Sequence, residues 1–247
     1  MATKETVLVV GATGNIGTSA VMGALRCGRD VLAVVRNTAS AEKLFRNVGT
    51  REGITTVEAD VLSDSGVQGV VDRIRQGELP AFQHVYSTAG GAISNTPLSE
   101  VSTAELRQSM AQNFESNFFA YRATFPYLQA QPNPTSFTLC VGGLGDLGTR
   151  AAAAMTQGAL YSLSAAAAHE VRGTRVRFIE LYLDMRVETD ESAARTGAVA
   201  ASDFAAHYAE ILERQQQEMA EGRGARVKIL NREGLTGLKF VDKEFKL

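Results

Sequence analysis

Three glycines near the start of the chain have the spacing needed to hold a phosphate group. The segment Gly11-Ala12-Thr13-Gly14-Asn15-Ile16-Gly17 follows the apolar run Thr6–Val10 and precedes a helical pattern from Thr18 to Leu25. Glycine lets the backbone turn sharply, leaves no side chain between main chain and ligand, and aims the free amides of the next helix at an anion. This strand–turn–helix context predicts a pyrophosphate-binding loop, with an ordinary glycine-rich turn as the alternative.

A basic residue, Arg36, ends the second predicted strand. A carboxylate at this place would accept hydrogen bonds from a free ribose 2′-hydroxyl, whereas arginine offers donors and positive charge to a 2′-phosphate. Arg36 therefore favours NADP(H) over NAD(H), and a solvated surface arginine is the alternative.

Two further strand ends carry residues suited to a cofactor. Asp60 ends the third predicted strand, where its carboxylate could accept a hydrogen bond from an adenine amino group. Ser87-Thr88-Ala89-Gly90-Gly91 ends the fourth, and its small residues would let the backbone approach the cofactor closely. The cofactor contacts predicted from these strand ends are Gly11, Thr13, Gly14, Asn15, Ile16, Gly17, Arg36, Asp60, Val61, Thr88, Ala89 and Gly90.

Alternating strands and helices are needed to bring these residues to one edge of a sheet. Apolar runs predict strands at residues 6–10, 30–36, 54–60, 81–87, 136–141, 176–182 and 227–230. Helical spacing predicts helices at 18–25, 40–48, 66–75, 101–128, 151–171 and 203–220. The pattern indicates one doubly wound, Rossmann-type α/β domain over residues 1–247, with a central parallel sheet of about seven strands and helices on both faces. Residues 184–201 are predicted to form a long loop outside the sheet, on the substrate side.

Composition and charge bound the other classes of function. The apolar share of 45% and the charged share of 21% are ordinary for a globular protein. With 25 Lys plus Arg against 27 Asp plus Glu, the net charge of −2 gives no field that would attract nucleic acid or an anionic membrane. Cys27 and Cys140 are interpreted as small buried apolar residues, and the histidines lack metal-ligand spacing. These features predict a cytoplasmic protein with a small-molecule substrate and without a metal, nucleic-acid or membrane partner.

The chain resembles the short-chain dehydrogenase/reductase superfamily over nearly its whole length. Gly11, Gly14 and Gly17 are similar to the glycine motif of its extended and atypical branches, and Asp60 is similar to its adenine-contacting aspartate. Thr88-Ala89-Gly90 resembles the family's Asn-Ala-Gly motif with the asparagine changed. The resemblance implies a nicotinamide cofactor and gives Asn113, in Gln112-Asn113-Phe114, the place of the active-site asparagine.

The resemblance breaks at the residues that transfer protons. In that family a Tyr-x-x-x-Lys pair lies on the helix predicted at 151–171, and counting from Asn113 places the tyrosine at Ala153 and the lysine at Gln157. The family's serine is expected between Cys140 and Gly143, where the chain has no hydroxyl.

This loss bears directly on the chemistry. The family's tyrosine passes a proton to or from the substrate oxygen, and the lysine lowers the pKa of that tyrosine. Without this acid/base, ordinary ketone reduction is expected to slow by about 10²- to 10⁴-fold. Gln157 can still hydrogen-bond the cofactor and is predicted, with Asn113, as both a cofactor contact and a catalytic residue.

Three other polar residues are candidate catalytic groups. Asp184, two residues before Arg186, follows the sixth strand and could polarise or ion-pair a substrate, although a solvated loop pair is equally possible. Asp146 could act as an acid/base, although a turn-forming role suits an aspartate near glycines better. Tyr161 is the only tyrosine on its predicted helix and could contact substrate or pack in the core.

Three functions remain open at this point. The first is an atypical NADP(H)-binding reductase that delivers hydride to an activated acceptor without the usual proton relay. The second is a redox-neutral isomerase, cyclase or dehydratase that uses Asp184 or Asp146, and the third is a non-catalytic NADP(H) sensor. The alanine-rich runs Ala151–Ala154 and Ala165–Ala168 resemble the family's dimer-forming helix and predict a homodimer or homotetramer, with packing inside one chain as the alternative.

Overall fold

The computed structural model describes residues 4–91, 93–229 and 238–242. Strands and helices alternate along the described chain. The strands are β1 (Thr6–Val10), β2 (Asp30–Val35), β3 (Ile54–Glu58), β4 (His84–Ser87), β5 (Thr135–Gly142), β6 (Val176–Leu183), β7 (Val187–Glu188), β8 (Val199–Ala200), β9 (Gly224–Ile229) and β10 (Phe240–Asp242). The helices are α1 (Asn15–Arg26), α2 (Thr38–Val48), α3 (Gly66–Arg75), α4 (Thr103–Ser109), α5 (Ser116–Gln129), α6 (Leu144–Leu147), α7 (Ala151–Glu170), α8 (Asp190–Thr196) and α9 (Ala201–Glu218).

The central sheet confirms the predicted doubly wound α/β fold. Its order is β10-β9-β6-β5-β4-β1-β2-β3, and every neighbouring pair is parallel except β9 and β10. In the described residues the central sheet thus has eight strands, where about seven were predicted. The additional strand, β10, has three residues, which is too short for a hydrophobic period to be recognised. Leu230, the last residue of the predicted seventh strand, lies outside the described residues.

Helices cover both faces of this sheet, as buried parallel strands require. One core contains residues of α1, α2 and α9, such as Ala20, Leu44 and Phe204. The other contains residues of α3, α5 and α7, such as Val71 and Leu128. Each face of the apolar sheet is therefore removed from water, which is the main stabilising contribution to folding.

Residues 184–201, predicted as a long loop outside the sheet, contain short elements of regular structure. The segment lies outside the main sheet, but it contains α8 and the parallel pair of β7 and β8. The Glu188 carboxylate holds it together, because it accepts hydrogen bonds from Ser192 Oγ at 2.6 Å and Thr196 Oγ1 at 2.8 Å and pairs with Arg186. Strands of two residues carry no periodic signal, so the sequence pattern could not show them.

The single helix predicted at 101–128 is interrupted. A π-helical turn, Met110–Glu115, separates α4 from α5. A π turn inserts a wider hydrogen-bonded ring into a helix, and such turns are frequent at functional sites. Here the turn contains Asn113, which is buried.

Two smaller observations concern compartment and redox state. Within the described ranges, no helix combines the length and apolarity needed to cross a membrane. Cys27 and Cys140 are both free thiols, and each is half-buried rather than buried as predicted.

A buried histidine links the amino ends of central strands, which lie opposite to the ends that carry the glycine loop. His84 is 1% exposed, with Nδ1 at 2.8 Å from Ser136 Oγ and Nε2 at 3.3 Å from Glu5 Oε2. Burial lowers the pKa of His84 despite the neighbouring carboxylate. The hydrogen bond from His84, helped by Arg29, lowers the pKa of Glu5 to about 2.

Both shifts predict that acid destabilises the fold. A group whose pKa is lower in the folded state takes up a proton more readily on unfolding, so its stabilising contribution is lost as the pH falls. We expect the free energy of unfolding, measured with urea, to fall as the pH drops below about 6.5 and to fall again below about 4.5. His84→Gln should flatten part of the first decline, and the remainder should persist because burial also lowers the pKa of His207. An unchanged pH profile in the His84 variant would contradict this assignment.

Candidate functional site

A cleft of about 370 Å³ opens at the carboxyl ends of the central strands. It lies where the strand order reverses between β1 and β4, which is where doubly wound sheets bind ligands. Nine predicted cofactor contacts line it, namely Gly11, Thr13, Gly14, Arg36, Asp60, Val61, Thr88, Ala89 and Gly90. The other predicted contacts lie elsewhere: Asn15, Ile16 and Gly17 in the first turn of α1, Asn113 in the π turn, and Gln157 on α7.

Two glycines of the first loop are required by close backbone contacts. Gly11 has φ +83°, and a Cβ placed on it would lie 2.8 Å from Ala89 N. A Cβ on Gly17 would lie 2.0 Å from the carbonyl oxygen of Gly11. The loop can therefore close against both β4 and α1 only because these side chains are missing.

The start of α1, directly after the cleft-lining Gly14, has amides without an intrahelical partner. The amide of Thr18 donates to the carbonyl of Gly14 at 2.8 Å, so the three helical amides before it have no intrahelical acceptor. Gly14 provides no side-chain cap, and the first turn contains no acidic residue. An anion is favoured at such a helix start, so the loop fits the pyrophosphate of a dinucleotide.

Two basic side chains line the cleft. Arg36 follows β2, and Lys43 projects from α2; both are exposed and line the cleft. Asp60 also lines it, and its Oδ1 accepts a hydrogen bond from the amide of Leu62 at 2.9 Å. Lys43 was missed by the sequence reasoning, although a lysine in the helix that directly follows Arg36 was a usable signal. The two basic side chains could together bind a further phosphate group.

Asn113 is fully engaged with the protein. Its Oδ1 accepts a hydrogen bond from the amide of Gly91 at 3.0 Å, and its Nδ2 donates to Thr156 Oγ1 at 3.2 Å. A second asparagine, Asn117, accepts from Ser87 Oγ at 2.6 Å and donates to the carbonyl of Ala89 at 2.9 Å. The two asparagines thus fix the segment after β4, and the sequence reasoning did not identify Asn117.

The predicted tyrosine and lysine positions both lie on the inner side of α7. Ala153 is 2% exposed. Gln157 is half-buried, and its Oε1 accepts a hydrogen bond from the amide of Gly142 at 2.7 Å. Gln157 therefore contacts the end of β5, where the family's serine was expected.

Tyr161 lies one turn further along α7 and contacts the same residue, Gly142. Its hydroxyl donates to the carbonyl of Gly142 at 2.7 Å, and its ring lies 5.9 Å from that of Tyr182. Burial and the charge of Asp146 raise the pKa of Tyr161. A Cβ on Gly145 would lie 2.7 Å from the Tyr161 ring, so α6 packs closely against this side chain.

The two candidate aspartates have different surroundings. Asp146 is exposed, and its Oδ2 accepts a hydrogen bond from the Tyr182 hydroxyl at 2.9 Å. Asp184 is also exposed, and it lies against Gly143, because a Cβ there would be 2.5 Å from Asp184 Oδ1. In the described residues no ion pair joins Asp184 to Arg186, the alternative given for this aspartate, and Arg186 pairs with Glu188 instead. Among the described residues, no group of three or more His, Cys, Asp or Glu side chains could hold a metal ion.

Comparisons with known proteins agree with this geometry. A family model described as short chain dehydrogenase matches residues 5–196. A protein of Pestalotiopsis fici named short-chain dehydrogenase/reductase iacG is 52% identical over 247 residues, an alignment that covers 98% of each chain.

Solved structures share the fold at much lower sequence identity. The RhlG/NADP active-site complex of Pseudomonas aeruginosa has a TM-score of 0.77 at 16% identity and covers 92% of this chain and 95% of that one. A short-chain dehydrogenase/reductase of Brucella melitensis, described as glucose/ribitol dehydrogenase, has a TM-score of 0.72 at 19% identity, with coverages of 91% and 94%. ElxO, solved with NADP bound, has a TM-score of 0.74 at 16% identity, with coverages of 92% and 98%.

Proposed function

Because the chain belongs to the short-chain dehydrogenase/reductase family, we propose that it binds NADP(H) and transfers hydride to an activated small organic acceptor without a Tyr–Lys proton relay. The observation that carries the cofactor assignment is the presence of two cations, Arg36 and Lys43, in the lining of the same cleft as the glycine loop. Two cations suit a 2′-phosphate, whereas a free ribose hydroxyl would call for an acceptor.

The proposed reaction follows from what the residues at this site can and cannot do. When bound, the reduced nicotinamide supplies the hydride. Ala153 can donate no proton, and Asn113 uses both ends of its amide to hold the protein. The chain would therefore mainly position the reacting partners and exclude water. An iminium ion suits such a site, because hydride addition neutralises it and no proton is needed.

A single-turnover experiment tests this proposal. The protein is mixed with NADPH and either a cyclic iminium ion or a simple ketone of similar size, and loss of the reduced nicotinamide absorbance is followed by stopped flow. We expect the iminium ion to be reduced and the ketone to react at least about 10²-fold more slowly, since a missing acid/base costs about that much or more. Equal rates for the two acceptors, or no oxidation of NADPH by any activated acceptor, would contradict the proposal.

One contact favours a second candidate, a redox-neutral isomerase, cyclase or dehydratase in the same pocket. Asp184 lies against Gly143 at the end of β5 and is not taken up by Arg186. A carboxylate there has the chemistry of a general acid or base. Turnover of a substrate by protein stripped of nucleotide, and its loss in Asp184→Asn, would select this candidate over hydride transfer.

The alanine-rich part of α7 suggests how copies of the chain associate. Ala168 packs inside its own chain, because a Cβ on Gly224 would lie 2.3 Å from its Cβ, whereas Ala166 on the other side of α7 is exposed. This exposed side supports a homodimer or homotetramer in which α7 approaches a second copy.

A further inference from the structure

Gly142, at the end of β5, is held at both its N–H and its C=O by side chains of α7. Gln157 Oε1 accepts its N–H at 2.7 Å, and the Tyr161 hydroxyl donates to its C=O at 2.7 Å. We infer that Tyr161 is a positioning residue: it fixes Gly142, and this residue in turn orients the Gln157 amide so that Nε2 faces the cofactor. This inference rests on the proposed binding of NADP(H).

The orientation of the Gln157 amide follows from its one fixed hydrogen bond. A side-chain amide has an acceptor oxygen and a donor nitrogen on opposite sides of its terminal carbon. Since the oxygen is occupied by the Gly142 amide, the nitrogen lies on the other side of the amide group and does not face that N–H. Nε2 donates to no other described residue, so its two hydrogens are available to the hydroxyl groups of a ribose.

A lysine could not take this place in the present structure. Lysine offers three donors and no acceptor, so it would leave the Gly142 amide without the partner that Gln157 supplies. Gln157 therefore provides the end of β5 with a hydrogen-bond acceptor that a lysine at this position would lack.

Tyr161 also contacts α6, the short helix that follows β5. Its ring occupies the space beside Gly145 and packs on Tyr182, which holds Asp146 by a hydrogen bond. Removal of the Tyr161 hydroxyl alone would free the Gly142 carbonyl and leave this packing in place. The substitution Tyr161→Phe therefore isolates the hydrogen bond from the shape of the side chain.

A double-mutant cycle tests the inference. The dissociation constants of NADP⁺ and NADPH are measured by calorimetry for the wild type, Tyr161→Phe, Gln157→Ala and the double variant. We expect Tyr161→Phe to weaken binding by about 3- to 10-fold, the range of one neutral hydrogen bond, and to have no further effect once Gln157 is absent. Gln157→Lys should likewise remove the effect of Tyr161→Phe.

Tyr121→Phe is the matched control. The Tyr121 hydroxyl is also part-buried and donates one hydrogen bond, to Glu170 Oε2 at 2.9 Å, but it does not contact Gly142. We expect this variant to lower thermal stability without changing either dissociation constant. Cofactor binding that is unchanged in Tyr161→Phe, or equal effects of Tyr161→Phe with and without Gln157, would overturn the inference. Failure of the wild type to bind either nucleotide would instead overturn the proposed function.

Discussion

Arg36→Asp is expected to weaken the binding of NADPH by roughly 100-fold, since a charge-assisted hydrogen bond contributes about 1.5 to 3 kcal/mol and each 1.4 kcal/mol is tenfold. Arg36 lines the cleft beside Lys43, and the substitution replaces a donor for a 2′-phosphate by a carboxylate that repels it. NADH binding should change much less, because aspartate can accept hydrogen bonds from a free 2′-hydroxyl. Calorimetric titration with both nucleotides measures the difference.

A matched variant separates this contact from general electrostatics. Arg46 is also exposed and basic, and it lies in the last turn of α2 without lining the cleft. Arg46→Asp changes the net charge by the same amount, so it should leave the preference between the two nucleotides intact. The effect of Arg36→Asp should also shrink at high salt, because both cleft cations are exposed and screened. Equal weakening of NADPH and NADH by Arg36→Asp would contradict the assigned role.

The parallel sheet could be predicted from the sequence because its strands are buried on both faces. Runs such as Val31–Val35 are apolar without alternation, and glycine ends the first strand where the chain must turn. The glycine loop itself allowed the family to be identified, and the match over residues 5–196 confirms that identification. These signals are local, which is why they can be recognised in a single sequence.

The features that were missed depend on contacts between distant segments. The π turn around Asn113 lies within an uninterrupted helical pattern, and its asparagine bonds to Gly91 and Thr156, which lie far away in the chain. The same holds for Gln157, whose acceptor role depends on an amide fifteen residues away. From residue type alone, Gln157 could be interpreted only as an uncharged replacement for lysine. The structure shows in addition that its Oε1 accepts a hydrogen bond from the Gly142 amide.

The largest effect on the fold is expected from Gly17→Ala. The new Cβ would lie 2.0 Å from the Gly11 carbonyl oxygen and 2.8 Å from Ala12 Cα. Both neighbours are backbone atoms of the glycine loop, so the clash cannot be relieved by a side-chain rotation and α1 must move away from β1. Overpacking of this kind costs about 1 to 3 kcal/mol or more, which urea denaturation will detect as a lower midpoint. NADPH binding should be lost as well, because the amides of the first turn of α1 move with the helix.

Two other glycines make this prediction specific. Gly69 lies inside α3, where an added Cβ meets nothing within 4 Å, so Gly69→Ala should stabilise the protein by about 0.5 to 1 kcal/mol. Gly14 lines the cleft, and a Cβ there meets only the Gly11 carbonyl at 3.4 Å, so Gly14→Ala should weaken NADPH binding with little effect on the urea midpoint. The three variants therefore separate the two needs for glycine in this loop: Gly17 lets the helix approach the strand, and Gly14 leaves space for the phosphates. A Gly17→Ala protein that unfolds at the wild-type urea concentration would show that the loop can relax, and the close approach would then not be required for the fold.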